Sequence, residues 1–235
     1  MPQQERASGR RELRDLVARA SGTLKVFPLP GVVVFPGTPT PFHIFEPRYR
    51  ALVADALDGD RALCVATLEQ AEGEGESRER PPVLPIAGAG VIEEDERLPD
   101  GRYHILFRCL TRVRLAEELE SAKPYREFRA ELLPDRLPPG GPQELERDTQ
   151  ALLQLAYDLV RVLPEESGAP ELAQAAARLH APGRLADLLA AAVIADPILR
   201  YRALESLDVP RRMGLVAQEL AAVLLVMSKG KTPAA

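Results

Sequence analysis

A nine-residue segment rich in proline and glycine divides the chain into two parts with different periodicities. Residues 134–142 hold four prolines and two glycines, and such a segment cannot continue a strand or a helix. Before it, short apolar runs alternate with turn residues, a pattern typical of β-strands. After it, apolar residues recur every three or four positions, a pattern typical of helices. We therefore predict an α+β chain in which a β-rich lobe precedes a helical bundle.

The predicted domain boundaries follow these shifts in pattern. The first residues are charged and carry a weak helical stripe, which is consistent with a poorly ordered extension or with a short docking helix. The last residues are basic. We expect a charged extension over 1–21, a β-rich lobe over 22–135, a Pro/Gly linker over 136–142, a helical lobe over 143–228 and a basic tail over 229–235.

The β-rich lobe is predicted to contain one helix among its strands. Residues 36–41 hold three prolines and are predicted to form a loop. Residues 69–80 are acidic and glycine-containing, which predicts a solvated loop without the spacing of a calcium site. The predicted elements are strands over 24–35 (broken at 28–31), 61–68, 83–98, 102–115 and 125–133, and a helix over 46–57.

The second lobe is predicted to be helical throughout. Asp196 and Asp208 stand where a side chain would cap the start of a helix. The last helix has an apolar seam at spacings of three and four, which indicates a core-facing side. The predicted helices cover 144–163, 171–179, 183–194, 197–207 and 209–227, and the seam comprises Met213, Val216, Leu220, Val223 and Met227.

Aromatic residues are crowded near the start of the β-rich lobe. Five of the chain's eleven aromatics lie within 23 residues, between Phe27 and Tyr49. Aromatic side chains gain most from burial and are common anchors for partners, so this region is part of a core, part of a binding surface, or both. We assign Phe27 to the core. The candidate peptide- or protein-binding residues are Phe35, Phe42, His43, Phe45, Arg48 and Tyr49.

No arrangement of residues in the sequence indicates catalysis, a metal site or a cofactor. None of the serines lies in Gly-x-Ser-x-Gly, and the three histidines lack metal-binding spacing. Gly230-Lys231-Thr232 resembles the end of a phosphate-binding loop, but Leu225 stands where that loop requires glycine. Cys64 and Cys109 lie in separate apolar segments and are predicted to be buried, reduced thiols.

The charge and hydropathy of the chain argue against nucleic-acid binding and against membrane insertion. Residues 21–135 carry 14 basic and 20 acidic groups, within a chain of net charge −5. A phosphate-binding stripe of Arg108, Arg112 and Arg114 on one strand is an alternative, although a solvated strand face paired with glutamates is favoured. No secretory signal or membrane span is recognised, since the longest apolar run is Leu220–Met227. We expect a cytoplasmic protein.

Seven motifs follow one another in a specific order and spacing. They are Pro28–Gly37, Phe45–Tyr49, Pro82–Ile92, Leu98–Arg102, Arg108–Arg114, Pro182–Asp187 and Leu204–Val209. Together they resemble the amino-terminal, substrate-binding domain of the ATP-dependent Lon proteases, a domain that also occurs alone in small bacterial proteins and inside cereblon. The chain is most similar to the stand-alone form, which lacks the ATPase and protease domains.

This resemblance implies both a fold and a function. It implies a small, partly open, PUA-like barrel with one packed helix, followed by a helical bundle. It also implies a non-catalytic module that binds exposed apolar segments of unfolded or client polypeptides, with a protease or another protein as a further partner. A homodimer is left open.

Three alternatives to this function stay open. One is a scaffold that binds a single folded partner, in which residues 69–80 and the hairpin tip at Asp100-Gly101 would matter more than the aromatics. The others are an enzyme with an unrecognised pocket and an RNA-binding barrel.

Overall fold

The computed structural model describes residues 17–18, 20–69 and 80–229. The chain divides into two compact units, Met1–Pro134 and Asp135–Ala235, which are described separately. Most of the predicted extension (1–21), nearly all of the acidic loop (69–80) and most of the basic tail (229–235) lie outside the described residues.

The described part of the first unit contains six strands and a helix. A strand pair is joined by a turn at residues 98–102, where Asp100 accepts a hydrogen bond from the backbone N–H of Arg102 at 3.0 Å. The predicted helix and most predicted strands are confirmed. The elements are β1 (Leu24–Pro30), β2 (Pro39–Ile44), α1 (Pro47–Leu57), β3 (Ala62–Leu68), β4 (Ile86–Arg97), β5 (Tyr103–Glu118) and β6 (Arg126–Leu133).

Five of these strands form a ring. Strand β1 pairs in parallel with β3 and antiparallel with β6, while β5 pairs with both β4 and β6. The β3–β4 pairing completes the circle. Strand β2 pairs only with the first half of β5 among the described strands, so it extends the sheet beyond the ring. The predicted α+β fold with a partly open barrel is confirmed.

Two apolar clusters lie on the two faces of this sheet. One draws on all five strands of the ring and fills its interior, with small side chains such as Cys64, Ala87 and Ala89 on β3 and β4. The other includes α1 and larger side chains of the opposite face, among them Phe27 and Phe107. The small residues follow from geometry, because a ring of few strands encloses little space.

One strand prediction near the start of the unit is wrong. Residues 32–35 are not a strand but a buried loop, in which Val34 is 3 % exposed and Phe35 is fully buried. The Thr67 hydroxyl donates to the Val32 carbonyl at 2.7 Å, which satisfies part of that loop's backbone. An apolar run in the sequence indicates that its residues are buried, but a buried segment can be a loop as well as a strand.

The predicted loop at residues 36–41 is also wrong in part, because β2 begins at Pro39. Proline lacks an N–H and is tolerated where a strand has a partner on one side only. Pro39 and Pro41 are two residues apart and therefore turn their nitrogens to the same side of the strand, away from β5. Two prolines at this spacing are thus compatible with an edge strand.

The second unit is helical, as predicted. Asp196 accepts hydrogen bonds from the backbone N–H groups of Ile198 and Leu199 at 2.7 and 2.9 Å, and Asp208 accepts one from Arg211 at 2.8 Å, so both predicted caps are confirmed. The helices are α2 (Glu146–Val162), α3 (Ala169–Ala177), α4 (Pro182–Val193), α5 (Pro197–Glu205) and α6 (Val209–Lys229), with 3-10 turns at Gly141–Leu145 and Glu165–Ser167.

The predicted seam of α6 is buried over its first half only. Met213, Val216 and Leu220 are at most 1 % exposed, whereas Met227 is 41 % exposed. The amino-terminal half of the helix therefore packs into the core of its unit.

A buried arginine joins several elements of the helical unit. The Arg212 side chain is fully buried, with its Nε 3.1 Å from Asp187 Oδ1 and its Nη2 2.8 Å from Asp135 Oδ2. Its Nη1 donates to the Ser206 carbonyl at 2.6 Å. Gly183 lies against this cluster, and a Cβ there would overlap Asp135 and lie 2.8 Å from Arg212 Nη2. The Pro182–Asp187 motif thus supplies both the space and one carboxylate for this arginine.

Candidate functional site

The six candidate binding residues separate into buried and exposed groups. Phe35 is fully buried and Tyr49 is 6 % exposed, so both belong to the core. Phe42 is partly buried and packs against the cluster beneath α1. In contrast, His43 and Arg48 are exposed, and the Phe45 side chain is 60 % exposed. Aromatic content alone does not separate core from surface, because both environments use the same residue types.

Packing explains why the inward-facing aromatics are structural. The Tyr49 ring centroid lies 4.7 Å from that of Phe27, and the Phe42 centroid lies 5.4 Å from it, both edge-to-face. Burial raises the pKa of the Tyr49 hydroxyl, which lies 3.4 Å from the Pro28 carbonyl oxygen. The Arg48 guanidinium lies over the Tyr49 ring at 4.6 Å, so this arginine is held at the edge of the core.

Of the exposed candidates, His43 lines a groove on the other face of the sheet, and the Phe45 ring lies beside His43. Phe42 and Ile105 face the α1 cluster, so the alternating residues His43 and Leu106 face the opposite way. A groove of about 590 Å³ runs over this opposite face. Its lining residues are Pro41, Phe42, His43, Glu94, Asp95, Glu96, His104, Ile105 and Leu106.

A row of side chains crosses the groove from an apolar end to an acidic end. The Phe45 ring lies 6.0 Å from the His43 ring, and the His43 ring lies 4.9 Å from that of His104. His104 Nδ1 is 3.5 Å from Glu96 Oε2. His43 and His104 are directly opposite each other on β2 and β5. The row therefore offers an exposed aromatic, two imidazoles and a carboxylate along one line.

A β-bulge places the acidic side chains in this groove. The register of β4 against β5 shifts between Ile92 and Glu94, so Glu93 is an additional residue in β4. An extra residue reverses the alternation of side chains that follow it. Glu94 and Glu96, which would otherwise share the face of Ile92, lie instead opposite Leu106 and His104.

Described arginines pair with two of the four consecutive carboxylates in β4. Asp95 forms an ion pair with Arg61 at 2.6 Å, and Glu93 forms one with Arg108. Arg61 also donates to the Ile92 carbonyl at 2.7 Å, which anchors the strand beside the bulge. Glu96 has His104 as a near partner, and its side chain is 71 % exposed. Within residues 17–18, 20–69 and 80–229, the groove face thus retains acidic groups without arginine partners.

Sequence reasoning missed Glu94, Glu96, His104 and Leu106 as members of this site. The turn at Asp100-Gly101 predicts the β4–β5 hairpin, and pairing along it would have placed His104 near the acidic run. No sequence signal predicts the bulge at Glu93, however, because a bulge has no composition of its own when it lacks glycine.

The arginine stripe considered for phosphate binding does not form. Leu110 is an additional residue in β5, since Cys109 lies opposite Gly90 and Thr111 lies opposite Ala89. The alternation of side chains therefore reverses, and Arg108 faces away from Arg112 and Arg114. Arg112 is only 2 % exposed. The structure therefore offers no shared basic face at these positions.

Other candidate chemistry can be assessed only over the described residues. Across residues 17–18, 20–69 and 80–229, no three His, Cys, Asp or Glu side chains converge as metal ligands. Cys64 and Cys109 are buried thiols, as predicted, and burial raises the pKa of the Cys64 thiol. Within that same part of the chain, no helix has the length and apolarity needed to cross a bilayer.

The first unit is a small barrel in which β2, β5 and β4 carry an exposed groove. Comparison with known families defines the class of protein. The chain belongs to the family of ATP-dependent protease La (Lon) substrate-binding domains, whose model matches residues 23–222. The resemblance read from the seven motifs is thus confirmed. The matched domain is the non-catalytic part of these proteases.

Individual relatives agree with the family. The chain is 29 % identical to Lon protease 2 of Myxococcus xanthus over 201 residues, which are 84 % of this chain and 23 % of that protein. It is 30 % identical to Lon protease of Methylocella silvestris, over 86 % of this chain and 24 % of that protein. The chain thus spans about a quarter of the length of the curated relatives that it matches.

Solved structures agree on the fold. The amino-terminal domain of Lon protease from the Mycobacterium avium complex matches with a TM-score of 0.65 at 18 % identity, over 85 % of this chain and 98 % of that one. A Lon N-terminal domain protein from Xanthomonas campestris matches with a TM-score of 0.57 at 18 % identity, over 83 % and 97 % of the two chains.

Proposed function

We propose that this protein is a cytoplasmic, non-catalytic module that binds exposed apolar segments of unfolded or client polypeptides at the groove of β2, β5 and β4. The family supports binding of protein substrates. The observation that carries the site is the exposed row of Phe45, His43 and His104. Phe45 is the anchor in this proposal, because an aromatic that is 60 % exposed gains most when a ligand covers it.

The groove face is a better site than the open edge of β2. An antiparallel strand bonds its partner through alternate residues, and Cys109 N–H donates to the Thr38 carbonyl at 3.3 Å. Thr40, Phe42 and Ile44 are in phase with Thr38, so Pro39, Pro41 and His43 turn their backbone groups outward. Of those three residues only His43 has an N–H. A peptide that added as a further strand would find a single donor, so side-chain contacts on the face carry the binding.

Binding by a single copy should be weak. Micromolar affinity corresponds to about −8 kcal/mol, and ordering an extended peptide opposes it. Delivery of clients to a protease would then depend on a second contact or on several copies acting together. Because binding by one copy is weak, the proposal also includes self-association of the protein or recruitment of a protease.

The test is binding of reduced, carboxymethylated α-lactalbumin, a permanently unfolded probe, measured by fluorescence anisotropy. We expect Phe45→Ala to weaken binding about tenfold, an effect equivalent to about 1.4 kcal/mol, with an unchanged thermal midpoint. Tyr157→Ala is the matched control, since Tyr157 is also exposed but lies on α2 of the other unit. Equal binding by wild type and Phe45→Ala would reject this site, and no binding by wild type would reject the function.

A further inference from the structure

We propose that the groove selects polypeptide segments in which a lysine or arginine lies next to an apolar residue. This inference rests on the proposed function, because it specifies which segments the same groove prefers. Two features of the row lead to it, namely the acidic groups at one end and the exposed aromatic at the other.

The first feature is the distribution of charge on β4. Arg61 forms an ion pair with Asp95, and Arg108 forms one with Glu93. The four side chains are each at most 38 % exposed. Glu94 and Glu96 share the groove face with His104, and neither is paired with an arginine of the described part of the chain. Carboxylates in this position attract a cation and repel an acidic ligand.

The second feature is the apolar end of the same row. Phe45 is 60 % exposed, and its ring lies 6.0 Å from the His43 ring. An apolar side chain of a ligand gains free energy by covering such an aromatic.

The spacing of the row gives the order of the two contacts. Phe45 and His43 provide an apolar contact, and Glu96 lies beyond His104 at the other end. An apolar side chain of the ligand would cover Phe45 and His43, and a neighbouring basic side chain would reach Glu94 or Glu96. A segment with an acidic residue in place of the basic one would bring a third carboxylate close to those of Glu94 and Glu96.

The experiment compares three labelled peptides of one length that share a Leu-Leu-Phe centre in a Gly/Ser background and differ only in a flanking pair of Lys, Gln or Glu. Anisotropy titrations at low ionic strength should show the Lys peptide binding about three- to fivefold more tightly than the Gln peptide, as exposed charge pairs contribute up to about 1 kcal/mol. The Glu peptide should bind most weakly. Added salt should reduce these differences.

Variants assign the preference to the groove. The double variant Glu94→Gln with Glu96→Gln should bind Lys and Gln peptides equally. The control is the double variant Glu120→Gln with Glu131→Gln, which makes the same change in net charge. Both side chains are exposed, Glu120 just after the end of β5 and Glu131 on β6, outside the groove. This variant should still bind the Lys peptide more tightly than the Gln peptide.

Three outcomes would overturn the inference: equal binding of Lys and Gln peptides by wild type, tighter binding of the Glu peptide, or a preference that survives in the groove double variant. In each of these the proposed function stands, because an apolar peptide still binds. Failure of all three peptides to bind would instead reject the proposed function itself.

Discussion

The buried arginine cluster of the helical unit and the groove of the β unit use similar groups in opposite ways. Around Arg212, two carboxylates and a carbonyl surround a guanidinium that has no contact with solvent. In the groove, the Glu96 side chain is 71 % exposed and lies beside the His104 imidazole. Charge that is buried must be paired within the fold, whereas exposed charge is free to pair with a ligand.

This difference predicts which substitutions change stability and which change binding. If a carboxylate is removed from the buried cluster, the Arg212 charge stays in an apolar environment with one partner fewer. If a carboxylate is removed from the groove, solvent takes its place and no buried charge loses a partner. The two regions should therefore respond to the same type of substitution with different measured effects.

The largest effect is expected from Asp187→Ala. Removing the carboxylate, which is fully buried, leaves Arg212 without one of its two carboxylate partners and should lower the free energy of unfolding by about 3–5 kcal/mol. Chemical denaturation followed by circular dichroism measures this change. Glu96→Ala is the matched substitution in the groove and should change stability by less than about 0.5 kcal/mol. Equal losses in the two variants would remove the distinction between the regions.

Tyr49→Ala and Phe45→Ala test the same distinction with aromatic residues. Tyr49 is 6 % exposed and contacts Phe27, so its truncation should destabilise the protein by about 3–5 kcal/mol. Phe45→Ala should leave the thermal midpoint unchanged and weaken peptide binding. Differential scanning calorimetry with parallel anisotropy titrations separates the two results. A large loss of stability in Phe45→Ala would assign that side chain to the core.

A smaller effect is expected from Gly183→Ala. The added Cβ would overlap Asp135 and crowd Arg212, which is buried and has no room to move, so a loss of about 1–3 kcal/mol is expected. Gly214→Ala is the control, because nothing lies within 4 Å of a Cβ at that position of α6. It should stabilise the helix by up to about 1 kcal/mol. Thermal midpoints that move in the same direction would contradict the proposed crowding.

The smallest effect concerns a half-exposed cluster in the β unit. Asp55 accepts hydrogen bonds from Lys123 at 2.5 Å and from Tyr125 at 2.6 Å, and these bonds lower its pKa below the ordinary value of 3.8. A lowered pKa in the folded state contributes stability above about pH 4, and that stability is lost as the pH falls through the folded-state value.

Asp55→Asn should therefore be less stable than wild type by under 1 kcal/mol between pH 5 and pH 7. The difference should shrink on acidification below about pH 4, as measured by urea denaturation at each pH. If the difference in stability between wild type and Asp55→Asn stayed constant down to pH 2, the charge of the Asp55 carboxylate would contribute nothing to stability.

Local patterns predicted most of the secondary structure. The turn at Asp100-Gly101, the caps at Asp196 and Asp208 and the proline at the start of α1 are all short-range signals, and each was confirmed. The errors lie at residues 32–35 and 39–41, where burial and an edge position override local propensity.

The candidate site was less predictable than the fold. Of the residues proposed from the sequence, His43 lines the groove and Phe45 lies beside it, whereas Phe35 and Tyr49 are buried. Phe35 lies in a buried loop and Tyr49 on α1, so their burial depends on contacts with distant segments. Aromatic content alone does not reveal those contacts.

The amino-acid sequence by itself determined the family, the α+β class, the order of most elements and the helix caps, because these depend on motifs and on neighbours within a few residues. The tertiary structure alone decided which side chains share a face. The bulges at Glu93 and Leu110 reverse the alternation on two strands, turning Glu94 and Glu96 into the groove and separating Arg108 from Arg112. A bulge depends on pairing between strands, and therefore on contacts that no single segment of the sequence contains.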